Sequence, residues 1–238
     1  MPDDPPVRGS AARRETVANG PEGVVALRLA EWAREAGAAG LIHVARSETR
    51  ADRLARAVRG LMPDLEVLVF PPWDCLPYDR ASPSREVMGR RLAVLRRLAD
   101  RADEGGTSRP CLVVTTIEGL TQRLPPRTVL RDRGASFALA VGGELRRDAF
   151  EDFLRCAGYV IDDRVDEPGE AAIRGEVIDL YPAGDALPCR IDHDDGRVAG
   201  IRRYDPATQR TVAEIDRLVV GPASEVVLRS AEAGDLAR

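Results

Sequence analysis

The chain has 238 residues, a formal net charge of −4 and 44% hydrophobic residues, enough for one large domain or two small ones with real cores. All 35 basic residues are arginine and none is lysine, which excludes both a phosphate loop of the form G-x-x-x-x-G-K-[ST] and Schiff-base lysine chemistry. No run approaches the roughly 18 apolar residues of a membrane span and the start has no apolar signal region, so a cytoplasmic location without membrane contact is expected.

Residues 1–22, rich in Pro, Gly and Asp, read as a disordered lead-in. A helix is expected over Val24–Ala36, with Val25, Leu29, Trp32 and Ala36 as its apolar stripe and Gly37 and Gly40 as its stop. Leu41–Ala45, LIHVA, suits a buried parallel strand. Ser47 can cap a helix carrying Leu54, Val58 and Leu61 on one face, and Leu65–Phe70 reads as a second strand.

The stretch FPPWDCLPYDRASPSREVMGRRLAVLRRLA follows, from Phe70 to Ala99. Ser82 at the N-cap and Pro83 at the first helical position give a helix start, and Met88, Leu92, Leu95 and Ala99 recur at helical spacing. Arg90 and Arg97 point the other way, and Arg85, Arg91 and Arg96 flank the stripe. A solvated helix face explains these arginines better than a grip on nucleic acid. Asp74, Asp79 and Glu86 have no ligand set or nucleophile beside them, so the loop reads as a packed connector that aims the helix. Cys111–Thr116 reads as a third strand, and Thr116 can cap a short helix reaching Leu124 before Pro125 and Pro126 stop it. Such alternation of helix and strand marks a parallel sheet covered by helices.

Beyond the region around Arg127–Ser136 the period changes. A short strand precedes a helix over about Arg146–Ala157, which Gly158 ends, and short strands separated by turn signals follow, with Asp195-Gly196 and Asp205-Pro206 as the clearest turns. This is an α+β pattern with a mostly antiparallel sheet. Charge divides the same way: residues 1–135 hold 22 arginines against 18 acids, and residues 136–222 hold 11 against 18. An acidic second half is a poor phosphate-binding surface, and a protein partner fits it better.

Chemistry-bearing motifs are few. Cys75, Cys111, Cys156 and Cys189 form no C-x-x-C pair and read as reduced and structural. His43 and His193 belong to no metal or triad pattern, and no G-x-S-x-G is present. In RIDHDDG, Asp192, Asp194, Asp195 and Gly196 break the calcium-loop spacing, leaving a hairpin turn. Strand alternation turns Arg190 away from Cys189 and Ile191 and towards the side of Asp192 and Asp194. For Arg174 and Arg190 two readings stand: exposed arginines in weak surface ion pairs, or partner-binding arginines.

The blocks FPPWDCLPYDRASPSREVMGRRLAVLRRL, VVTTIEGLTQRLPP, RGEVIDLYPAGDALPCRID and RRYDPATQRT together resemble the N-terminal module of the bacterial transcription-repair coupling factors (Mfd). That module is itself similar to part of the excision-repair protein UvrB. The resemblance implies a degenerate helicase-like (P-loop-NTPase-like) α/β parallel-sheet domain lacking Walker A over residues 23–130. It implies an α+β, mostly antiparallel module like UvrB domain 2 over 131–222, and the start of a returning first-domain segment over 223–238, before the RNA polymerase-binding and translocase domains. The function implied is a non-catalytic adaptor of transcription-coupled nucleotide excision repair that recruits UvrA through Arg174, Arg190 and position 194, with no cofactor or metal. The full-length family is an ATP-dependent DNA translocase that displaces stalled RNA polymerase, so RNA polymerase and DNA are partners of the full-length form. Asp194 stands where the family has an aromatic, which removes an apolar anchor. The alternative is a degenerate helicase domain that retains nucleotide or damaged-DNA binding; the absent lysine and the acidic second half weigh against it.

Overall fold

A computed structural model describes residues 20–76, 80–130 and 136–225. Most of the expected lead-in, the loop residues Pro77, Tyr78 and Asp79, and residues 226–238 of the expected returning segment lie outside the described residues.

The first half comprises α1 (Glu22–Ala36), β1 (Leu41–Ala45), α2 (Glu48–Leu61), β2 (Glu66–Val69), α3 (Arg85–Glu104), β3 (Cys111–Thr116), α4 (Ile117–Thr121) and α5 (Arg127–Leu130). Its three strands are parallel in the order β1-β3-β2. Central β3 is buried along its whole length, as an apolar strand between two others should be. Leu54, Val58, Leu112 and Val114 pack α1 and α2 onto one face, and Phe70, Val94, Leu95, Cys111 and Val113 pack α3 onto the other. Ser47 caps α2 by accepting from the Arg50 amide, and Thr116 caps α4 by accepting from that of Gly119.

Several expectations need correction here. In α1 the buried row is Ala26, Leu29, Ala30 and Ala33, one residue round from the expected stripe; small alanines let the helix approach α2 and the sheet, and Trp32 is left partly exposed. β1 is an edge strand covered on one face only, so Ile42 and Val44 are exposed. Helix α3 starts at Arg85, and its cap is Ser84, whose Oγ accepts from the Val87 amide at 3.3 Å, while the Ser84 amide donates to Asp74 at 2.9 Å. Ser82 and Pro83 lie in the approach. Helix α4 ends at Thr121, short of Leu124.

The arginine-rich face of α3 is not simply solvated. Arg91 is 0% exposed. It donates to Glu225, to the Pro71 carbonyl at 2.9 Å and to Gln122 Oε1 at 3.0 Å, and its guanidinium lies 4.4 Å from the Phe70 ring centre and 5.2 Å from that of Trp73. Trp73 Nε1 donates to the same Glu225 at 3.0 Å. Arg97 and Arg101 share Glu66. Helical spacing assigns charge to solvent by default, and a carboxylate 134 residues away in sequence gives no local sign of its presence. The PPW turn is accordingly a packed connector, wedged between α3 and the chain near residue 225.

The second half comprises β4 (Phe137–Ala140), α6 (Arg147–Cys156), β5 (Val160–Ile161), β6 (Glu170–Arg174), β7 (Val177–Leu180), β8 (Cys189–Asp194), β9 (Arg197–Tyr204), β10 (Thr211–Glu214) and β11 (Arg217–Val220). A six-stranded sheet runs β10-β9-β8-β7-β6-β5, antiparallel except for the β5–β6 pair, and β4 pairs with β11 in a separate ribbon. Phe150 and Leu154 of α6 meet Ile178, Leu180, Ile191 and Ile201 in one core; each such side chain contributes about 1.5–3 kcal/mol on burial. The β8–β9 turn places Asp195 and Gly196 at φ 45° and 70°, the left-handed pair that a tight hairpin requires.

The two halves meet closely. A Cβ on Gly89 of α3 would lie 2.3 Å from Cβ of Ala183, in the YPAG segment after β7, so only glycine permits this approach. Arg85 Nε donates to the Gly158 carbonyl at 3.2 Å across the same junction.

Candidate functional site

The site lies on the face of the six-stranded sheet opposite α6. Ile178 and Leu180 turn inward, so alternation puts Asp179 between them on the other face, in register with Ala172 on β6 and Arg190 on β8; Arg190 in turn faces Arg202 on β9. A carboxylate in this row is nevertheless almost wholly buried, because two arginines close over it. Arg174 Nη2 donates to Asp179 Oδ2 at 2.5 Å. Arg190 grips the same carboxylate as a fork, Nε to Oδ1 at 2.6 Å and Nη2 to Oδ2 at 3.0 Å; such bidentate pairs are the strong, directional form of the interaction. The Asp179 side chain is 3% exposed, against 57% for Arg174 and 30% for Arg190.

More of the sheet supports Arg190. Its guanidinium lies 5.0 Å from the ring centre of buried Tyr204, a cation–π contact, and Nη2 also reaches Gln209 Oε1 at 3.4 Å. The Asp179 hydrogen bond raises the Arg190 pKa further. Burial, and then the charge of Asp179, push the Tyr204 phenol up to about 12, so the ring stays neutral. Next along the sheet, Arg202 pairs with Asp192. On the opposite face burial raises the Cys189 thiol to about 11, which keeps it an inert core residue.

Two planar guanidinium groups, held from beneath by one sunken carboxylate, present spare N–H donors at a protein surface. This arrangement suits acceptance of carboxylates or backbone carbonyls from another protein. The weak-surface-pair reading of these arginines does not hold, since their shared partner is buried and its loss would be costly. Asp194 is not part of the cluster. It is exposed at the hairpin end of β8, opposite Arg197, about 13 Å along the strand from Arg190 at the usual rise per residue. Sequence reasoning missed Asp179, Tyr204 and Gln209. The one available signal was an acid inside the apolar run VIDL.

The sheet that carries the arginine pair lies within an interaction module, since residues 137–226 match the UvrB interaction domain. The relatives extend the match into the first half. The chain is 37% identical over 175 residues to the transcription-repair-coupling factor of Haemophilus influenzae, covering 74% of this chain and 14% of that protein. It is 34% identical over 162 residues to that of Escherichia coli K12, covering 68% and 13%, and 29% identical over 183 residues to that of Bacillus subtilis, covering 77% and 15%. The chain belongs with the transcription-repair-coupling factors, as a homologue of one segment; it matches about one-seventh of the length of these relatives.

Proposed function

We propose that this chain is a non-catalytic adaptor of transcription-coupled nucleotide excision repair that recruits UvrA through Arg174 and Arg190. The observation that carries the reading is the buried Asp179 holding both arginines at the surface, inside the segment that matches the UvrB interaction domain. In this account residues 131–222 form the docking unit and Asp194 contributes a polar contact at its rim. Residues 23–130 form a degenerate helicase-like unit; β1 is joined to α2 by Arg46 and Ser47 alone, with neither the glycines nor the lysine of a phosphate loop. Residues 1–22 are a lead-in and 223–238 begin a returning segment. RNA polymerase and DNA are partners of other segments of the longer relatives, and the module works in the cytoplasm without a cofactor.

A pulldown with purified UvrA tests this. The wild-type chain retains UvrA, and Arg174→Ala with Arg190→Ala abolishes retention while thermal unfolding remains cooperative. Undiminished retention by the double variant would remove the site assignment.

A further inference from the structure

We infer that Asp179 and Gln209 act as positioning residues, a cradle that fixes the two arginines before the partner arrives and thereby sets what the partner must offer. The inference rests on the docking reading above and deepens it. Asp179 is too buried to meet a partner, yet it consumes donors from both arginines. An unrestrained arginine loses much rotamer freedom on docking, and a guanidinium already clamped has less to lose.

The second support comes from the turn after β9, in the YDPATQRT block. Asp205 Oδ1 accepts from the Thr208 amide at 2.7 Å and from its hydroxyl at 3.0 Å, the Asp205 carbonyl accepts from the Gln209 amide at 2.7 Å, and the Asp205 amide donates to the Arg210 carbonyl at 2.9 Å. This closed turn holds Gln209 at φ 59°, a region that non-glycine residues seldom occupy and that glycine enters freely. The Gln209 amide is then oriented by donation from Nε2 to the Pro206 carbonyl at 2.9 Å, which leaves Oε1 facing Arg190. Glycine would satisfy the backbone better, so the glutamine side chain stands here at a conformational cost.

With Asp179 below, Tyr204 against one face and Gln209 at one end, Arg190 keeps Nη1 engaged by none of the described residues. Among the described residues, Arg174 is held through Nη2 alone. The partner chemistry this fits is a planar acceptor on a protein, a carboxylate above all, approaching along the sheet face. A bare phosphate-rich strand fits poorly, because the carboxylates of Asp179, beneath the arginines, and Asp192, beside them, repel phosphate.

Calorimetric titration of UvrA into the full chain and its variants tests the cradle. Asp179→Asn should weaken binding by about tenfold, the scale of a lost hydrogen bond to a charged group, and Gln209→Gly by about threefold. Gln209→Gly should leave the melting temperature unchanged or raised, because it relieves the backbone, and a merely structural residue would not lower affinity while doing so. In the Arg190→Ala background, Gln209→Gly should weaken the remaining binding no further, because the side chain it positions is gone. If Asp179→Asn fails to fold, Gln209→Gly carries the test alone. Wild-type affinity in both variants, with the double-arginine variant weakened, would overturn the cradle and leave the docking site standing. Wild-type affinity in the double-arginine variant would overturn the docking reading and the cradle with it.

Discussion

The buried pair Arg91–Glu225 ties helix α3 to the chain that follows β11, and its removal has a size that can be worked out. Arg91 has no exposed surface and Glu225 has 11%. Replacing Glu225 with alanine leaves a cation in a slot between Phe70 and Trp73, with Pro71 and Gln122 as its acceptors among the described residues. Breaking a buried pair on one side costs about 3–5 kcal/mol, and the slight exposure of Glu225 places this case near about 3 kcal/mol. For a chain of this length each kcal/mol moves the midpoint by about 2–4 °C, so Glu225→Ala should melt roughly 10 °C below wild type. Removing both charges, as Arg91→Met with Glu225→Gln, should cost only about 1 kcal/mol, since methionine fills the aromatic slot and no charge is stranded. Thermal unfolding followed by near-ultraviolet circular dichroism, which reports on Trp73, measures both. A Glu225→Ala melt coincident with wild type, or a double variant no better than the single one, would show that the pair carries no such stabilisation.

Three further outcomes are expected. Gly89→Ala drives a methyl group into Ala183 and should destabilise by about 1–3 kcal/mol, seen as a lower urea midpoint and as increased protease cleavage near residues 181–185. Asp194→Phe, which places an aromatic at the hairpin end of the docking face, should tighten UvrA binding by about fivefold in calorimetry; an unchanged constant would show that this position lies outside the footprint. Burial raises the Glu66 pKa, but the hydrogen bonds and charges of Arg97 and Arg101 outweigh it and leave the carboxyl below its ordinary value of 4.5. Its contribution to stability is therefore full above that value and is lost as pH falls through the folded-state pKa. Glu66→Gln should flatten the acid limb of a stability profile below about pH 4.5, and an unchanged profile would contradict the assignment.

Local chemistry made much of this structure readable from sequence. The cap at Ser47, the αL glycine at Gly158 and the Asp195-Gly196 hairpin all act within a few residues, and each is where its residue type indicated. The readings that failed involve partners far away in the chain. Helical spacing assigns Arg91 to solvent because its carboxylate lies 134 residues away, and it centres the α1 stripe on Val25 and Trp32, which pack against the core only in part beside the fully buried Ala26, Ala30 and Ala33. At the candidate site, Arg174 and Arg190 were legible as residues but their geometry was not. Asp179 joins strands β6, β7 and β8, and only the register shows that one acid answers two cations. Asp194, nominated with them, is separated by the length of the strand.

The most direct measurement is the hydrogen–deuterium exchange footprint of UvrA on the full chain. Protection should be confined to β6–β8 and the 204–210 turn and abolished in the Arg174→Ala, Arg190→Ala variant, with β1 and α2 exchanging as in the free protein. Protection centred on β1 and α2, with exchange over residues 170–210 unaltered by UvrA, would contradict it.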